Sequence, residues 1–142
     1  MGRRIVVERE MYEKAVNLLN KSNTLALSMV DEDGYPKIYP MEKVVSVNLD
    51  KVIFITKKDS NKVKLLNISN KCCIEVHTED DMVLLKGNME IHESEYIKKK
   101  SLPNDYIKRL ERSGSERYCV LIFKTFQVDL YIDGDRCTSV IE

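Results

Sequence analysis

Residues 51–70 read KVIFITKKDSNKVKLLNISN, and their reading decides the fold. Val52-Ile53-Phe54-Ile55-Thr56 is apolar, β-branched and aromatic, which predicts a strand. The chain then turns polar at Lys57-Lys58-Asp59-Ser60 and continues as a helix from Asn61 to about Ile68, with Asp59 or Ser60 placed to cap it. A strand that passes through a basic turn into a capped helix start presents unpaired backbone N–H groups. It adds the positive end of a helix dipole, a serine hydroxyl and lysines. These groups together suit a phosphate.

Working outward, residues 7–20 (VEREMYEKAVNLLN) place Val7, Met11, Ala15, Leu18 and Leu19 near helical spacing, which predicts an amphipathic helix over 7–20. Thr24–Val30 (TLALSMV) predicts a strand, and residues 31–36 (DEDGYP) a turn in which Asp-Gly supplies the reversal. Residues 36–47 predict one second strand. Pro40 lies inside it, so an edge, a bulge or an irregular ladder is expected there. Residues 71–77 (KCCIEVH) and 82–92 predict two further strands, and Gly87 in the second predicts a bulge or a corner. Residues 94–113 are charged and helical and break at Pro103 into two short helices. They read as a solvated cover over one end of the fold or as a cap on a bound ligand. Residues 117–126 and 127–132 predict two last strands, and from Gly134 the chain reads as a frayed tail. Six or seven short strands joined by tight turns predict a mainly β, antiparallel small barrel with flanking helices. They form one domain over residues 1–142.

The composition narrows the function classes. Lys+Arg and Asp+Glu are 23 each, so the net charge is zero, which argues against a dedicated nucleic-acid binder. No run is long and apolar enough to span a membrane, and the N-terminal MGRRIVVERE lacks a signal-peptide core, so a cytoplasmic protein is expected. Cys72, Cys73, Cys119 and Cys137 show no C-x-x-C spacing. They read as free thiols in a reducing compartment, with Cys72 and Cys73 on opposite faces of their strand. His77 and His92 have no metal-ligand neighbour at a useful spacing, so no metal site is assigned. No nucleophile–histidine–acid arrangement is legible. If the protein is an enzyme, a cofactor carries the chemistry.

Four stretches taken together carry a resemblance: TLALSMVDEDGYPKIYPM at 24–41, FIT at 54–56, DSNKVKLL at 59–66 and LLKGNME at 84–90. The chain resembles the FMN-binding split-barrel proteins related to pyridoxamine 5′-phosphate oxidase, in particular their short, general-stress-protein branch, over roughly residues 9–132. The resemblance implies a six- to seven-stranded antiparallel split barrel with peripheral helices. It further implies a homodimer with two FMN molecules at the subunit interface. By this resemblance Thr56 at the strand end and Ser60 and Lys62 at the helix start hold the FMN phosphate, and Ile55 and Asn61 beside them also contact the cofactor. Asn61 stands where the oxidase usually has Arg. Pro40, Met41, Glu42 and Lys43 line the flavin ring, largely through backbone groups, and Met82 and the C-terminal strands of the partner subunit complete the site.

The departures from the oxidase are specific. Its arginine and lysine on the ring-lining strand fall at about Pro40 and Val45, its fifth-strand glutamine at Met82, and its C-terminal Arg- and His-bearing substrate motif is replaced by YIDGDRCTSVIE. The Trp of many relatives is absent, and Tyr131 is the candidate for its place. Fold and phosphate site therefore carry over better than vitamin B6 oxidation. Three functions stay open. The first is an FMN-dependent oxidoreductase using NAD(P)H on a small molecule. The second is a non-catalytic flavin-binding or stress-response module. The third is a split barrel holding F420 or haem. On spacing alone Lys62 also reads as a solvated lysine, Ser60 as a plain helix cap, Thr56 as an ordinary strand end, Met41 as core, and Glu42 and Lys43 as an exposed pair.

Overall fold

A computed structural model describes residues 7–141. The first six residues, part of the N-terminal segment read above for a signal peptide, and residue 142 of the expected domain lie outside the described residues. The elements in order are α1 (Arg9–Lys21), β1 (Thr24–Val30), β2 (Pro36–Glu42), β3 (Val45–Val47), β4 (Lys51–Lys57), α2 (Asn61–Ile68), β5 (Lys71–His77), β6 (Met82–His92), α3 (Glu95–Ser101), α4 (Asn104–Ser113), β7 (Tyr118–Ile132) and β8 (Asp135–Val140), with one 3-10 turn at Ser115–Arg117.

All ladders are antiparallel, and the sheet runs β2-β1-β5-β6-β7-β4-β3, with β8 paired to β7 off this path. The curl of this sheet follows from its connectivity. β2 and β3 lie at opposite ends of the hydrogen-bonded path, yet only Lys43 and Val44 separate them in sequence. Three Cα–Cα steps reach at most about 11 Å. The two edges must therefore approach each other, and the sheet rolls into a half-open barrel. The chain crosses the seam residue by residue. Lys43 N–H donates to the Asn23 carbonyl beside β1 (2.9 Å), and Val44 N–H donates to the Ile53 carbonyl of β4 (2.8 Å).

This crossing corrects the single strand expected over 36–47. The apolar alternation continues through Lys43, but the partner strand changes there, so one sequence run makes β2 and β3. Pro40 sits in β2, an edge strand, as its missing N–H requires. The two strands expected at 117–126 and 127–132 are instead one, β7. Against β6 the register slips where Lys86 faces Gln127 and Gly87 faces Thr125, leaving Phe126 as the extra residue. A bulge, not a turn, marks the discontinuity. The tail expected from Gly134 is β8. Asp133 (φ 53°) and Gly134 (φ 83°) form a tight hairpin turn that sets Ile132 opposite Asp135, and the Thr138 hydroxyl donates to Asp129 Oδ1 at 2.6 Å. The strand count rises to eight for these reasons.

Inward residues of β1, β2, β4, β5, β6 and β7 fill the barrel, with Cys137 of β8 packed against them. Phe54 and Phe123 are fully buried, and each contributes about 1.5–3 kcal/mol by leaving water. α1 lays Ala15, Leu18 and Leu19 into this core, starting two residues later than its sequence pattern because the Glu8 carboxylate caps it through the N–H groups of Glu10 (3.0 Å) and Met11 (2.9 Å). α2 adds Val63, Leu65 and Leu66. α3 and α4 cover the outer face of β4 and the first half of β7, where Ile53, Val120 and Ile122 meet Leu102 and Leu110 in a second cluster. Lys98 of α3 is buried there, its Nζ donating to the Ser115 carbonyl (2.8 Å) and facing Glu95 Oε1 (3.1 Å). The helices thus cover an outer face of the sheet rather than one end of the fold. The outer face of the rest of the sheet carries no helix among the described residues and shows Val30, Ile38, Tyr131 and Val140 to solvent. No helix among the described residues is long and apolar enough to cross a membrane.

Candidate functional site

The end of β4 delivers the chain to the start of α2 through a short turn, in which Ser60 N–H donates to the Lys57 carbonyl at 3.1 Å. The turn is fastened on its far side by Lys58 N–H donating to the Arg117 carbonyl at 2.9 Å. Ser60, rather than Asp59, caps α2, its Oγ accepting from Val63 N–H at 3.4 Å. The Thr56 hydroxyl, nearly buried, donates to the same Oγ at 3.3 Å. In the first helical turn the N–H groups of Asn61 and Lys62 have no intrahelical carbonyl to bond, so they face outward at the positive end of the helix dipole.

β2 lies across this helix start. Its period of two puts Lys37, Tyr39 and Met41 on one face, with Met41 buried and Tyr39 half-buried at the rim. Asn61 Nδ2 donates to the Tyr39 hydroxyl at 2.9 Å. The ammonium groups of Lys62 and Lys37 stand 5.1 and 5.5 Å from the Tyr39 ring centroid. The hydrogen bond from Asn61, with Lys37 and Lys62 nearby, holds the Tyr39 phenol below its ordinary range despite some desolvation. Among the described residues neither lysine forms an ion pair. The cluster therefore gathers two cations, three hydroxyls, an amide and a helix start, a donor set suited to a phosphate monoester.

Thr56, Ser60, Asn61 and Lys62 are thus brought together. Tyr39 and Lys37 join them, although sequence reasoning did not select them. The signal was available in the alternation of β2, which carries both residues to the face of Met41. The other expected residues lie elsewhere. Ile55 points to the opposite side of β4, against the cluster under α3 and α4. Pro40 and Glu42 are exposed on the outer face of β2. Lys43 is buried at the seam, its Nζ bonded to the Leu19 carbonyl and to Ser46 Oγ (3.3 Å), and burial pushes its pKa down. Its side chain therefore closes the barrel rather than pairing in solvent with Glu42. Met82 opens β6 between His77 and Tyr131, and lines a separate cleft with Leu84, Asp129, Arg136 and Thr138.

Burial pushes the Cys72 thiol up to about 12, and the half-buried Cys73 is raised for the same reason. His92 Nε2 sits 2.9 Å from Glu90 Oε1, and His77 Nδ1 2.9 Å from Glu75 Oε2. Among the described residues no cluster of His, Cys, Asp or Glu is placed to hold a metal.

The sequence model of the family described as pyridoxamine 5′-phosphate oxidase matches residues 11–130. No curated protein matches the sequence. Among solved structures, a protein from Clostridium acetobutylicum related to general stress protein 26 superposes with a TM-score of 0.78 at 21% identity, covering 93% of this chain and 95% of that one. General stress protein 26 from Bacillus anthracis superposes at 0.70 with 17% identity, covering 90% and 98%. A heme binding protein from Mycobacterium smegmatis superposes at 0.74 with 13% identity, covering 95% of this chain and 60% of that one. At these identities the likeness is one of fold. The family match reaches from within α1 to the second half of β7 and spans β2, β4 and the start of α2, so the chain belongs to the pyridoxamine 5′-phosphate oxidase family.

Proposed function

We propose that the protein binds FMN and acts as an FMN-dependent oxidoreductase on a small molecule, with NAD(P)H as electron donor, in the cytoplasm. The observation that carries this reading is the anion-adapted cluster at the start of α2, in a family match that spans it. The donor set fits the phosphate of FMN, since Thr56, Ser60, Asn61 and Lys62 offer hydroxyls, amide hydrogens and a positive charge, with no carboxylate among the described residues bonded to them. Lys62 serves as a point charge, Ser60 as a hydroxyl donor oriented by the Thr56 hydroxyl, and the first-turn amides as fixed dipoles. Pro40, Met41, Glu42 and Lys43 border the flavin ring through backbone groups, with Ile55 flanking by its backbone, and Met82 of the partner subunit closes the site. Bound flavin supplies the redox chemistry, accepting and passing on electrons, while the protein orients it and limits water.

A homodimer follows from the same reading. The uncovered outer face of the sheet exposes Ile38, Tyr131 and Val140 among polar residues, apolar side chains that a second copy would bury. The oxidase's C-terminal substrate residues are replaced here by β8, so pyridoxamine phosphate is not the proposed substrate. The test is the absorption spectrum of the purified protein, followed by anaerobic addition of NADPH. A flavin spectrum that bleaches with NADPH and returns with an acceptor is expected. A flavin that is bound but never reduced would leave a binding or stress-response module, and a protein that takes up no FMN would overturn the reading. One observation favours a haem alternative: His77 borders a shallow outer cleft with Ile38 and Pro40, and a heme binding protein shares the fold. A haem or F420 spectrum from the same sample would select those readings instead.

A further inference from the structure

The proposed phosphate site is short of charge as the helix start alone supplies it. A phosphate monoester carries nearly two negative charges at neutral pH. Against it, Lys62 offers one full charge and the helix N-terminus roughly half of one. Asn61, one residue before Lys62, is neutral.

β2 supplies what is missing. Lys37 brings a second ammonium group to within 5.5 Å of the Tyr39 ring, whose other neighbour is Lys62 at 5.1 Å, and neither lysine is ion-paired among the described residues. The Tyr39 oxygen already accepts from Asn61 Nδ2 at 2.9 Å, so its own hydrogen is the one left to donate. Asn61 thereby acts as a positioning residue that aims the phenol. Two ammonium groups held beside an aromatic ring without a counter-ion form a receptor for an anion rather than a satisfied surface pair.

We propose that Lys37 and Tyr39 are ligand-contacting residues of the phosphate site, Lys37 as its second cation and Tyr39 as a neutral donor oriented by Asn61. This assignment rests on the FMN reading above and adds to it the basis on which the site tells a phosphorylated flavin from a neutral one. With two lysines and a phenol committed to the phosphate, FMN is held well and riboflavin, which has the same ring without the phosphate, poorly.

The test is titration of FMN and of riboflavin, followed by quenching of flavin fluorescence, on the wild type, Lys37→Gln and Tyr39→Phe. Each substitution removes a contact to a charged group, so FMN affinity is expected to fall roughly tenfold or more while riboflavin affinity stays as in the wild type. Unchanged FMN affinity in both variants, with the wild type binding, would overturn this assignment and leave the flavin reading standing. Equal weakening of both flavins would also overturn it, because that marks a packing role. A wild type that binds neither flavin would overturn the flavin reading and this assignment together. Tyr39 is half-buried, so far-UV circular dichroism accompanies each titration. Lys37 is exposed, so its substitution carries the test if Tyr39→Phe fails to fold.

Discussion

Lys62 shows how far single residues were legible. By spacing it was one lysine among Lys57, Lys58 and Lys64, and nothing local separated it from a solvated charge. The fold separates them: Lys58 faces Glu93 at 3.6 Å, whereas Lys62 stands over Tyr39 without an acidic partner among the described residues. Lys62→Ala is expected to weaken FMN binding by about 1.5–3 kcal/mol, tenfold to a hundredfold, read by isothermal titration calorimetry. Unchanged affinity would return Lys62 to the solvent-facing lysines. The residues that the sequence groups and the fold brings together, Thr56, Ser60, Asn61 and Lys62, are local in the chain. Tyr39 and Lys37 reach the same place from another strand, about twenty residues earlier; the alternation of β2 marks their shared face, but its approach to α2 depends on the closed sheet. On spacing Lys43 reads as half of an exposed pair with Glu42, and the structure corrects this. Its burial depends on a seam between two edges that only the closed sheet creates.

At the scale of elements, the strands with strong local punctuation were legible and those punctuated by partner exchange were not. Thr24–Val30 and the strands around Gly87 follow alternation and turn chemistry, and α2 follows its cap. The break between β2 and β3 has no turn signal, because it marks a change of neighbour rather than of direction. The Asp133-Gly134 turn did carry the hairpin signature, the same dipeptide as Asp33-Gly34, and it was passed over only for its place near the end of the chain. β7 runs unbroken because the bulge at Phe126 absorbs one residue opposite Gly87. There the strands approach so closely that a Cβ on Gly87 would lie 2.1 Å from the Lys124 carbonyl oxygen and 2.8 Å from the Phe123 ring. Backbone cannot yield as a flexible side chain does, so Gly87→Ala is expected to destabilise the fold by about 1–3 kcal/mol or more in urea unfolding. A midpoint equal to the wild type would contradict the close crossing.

For the whole molecule, one short link sets the architecture, and one uncovered face supports the proposed assembly. The two residues between β2 and β3 draw the sheet edges together, and the curl that follows lays β2 beside α2, where Lys37 and Tyr39 meet Asn61 and Lys62. The barrel was legible from strand number and turn density. Its closure was not, since it depends on which strands share an edge. A net charge of zero and the exposed Ile38, Tyr131 and Val140 on the outer face support the proposed pairing of two copies. The central claim is that two copies hold FMN between them, each through the phosphate cluster at the start of α2. Native mass spectrometry of the protein mixed with excess FMN tests it most directly. The account predicts a species with the mass of two chains and two FMN molecules. A single chain without flavin, or a pair of chains that remains bare in excess FMN, would contradict it.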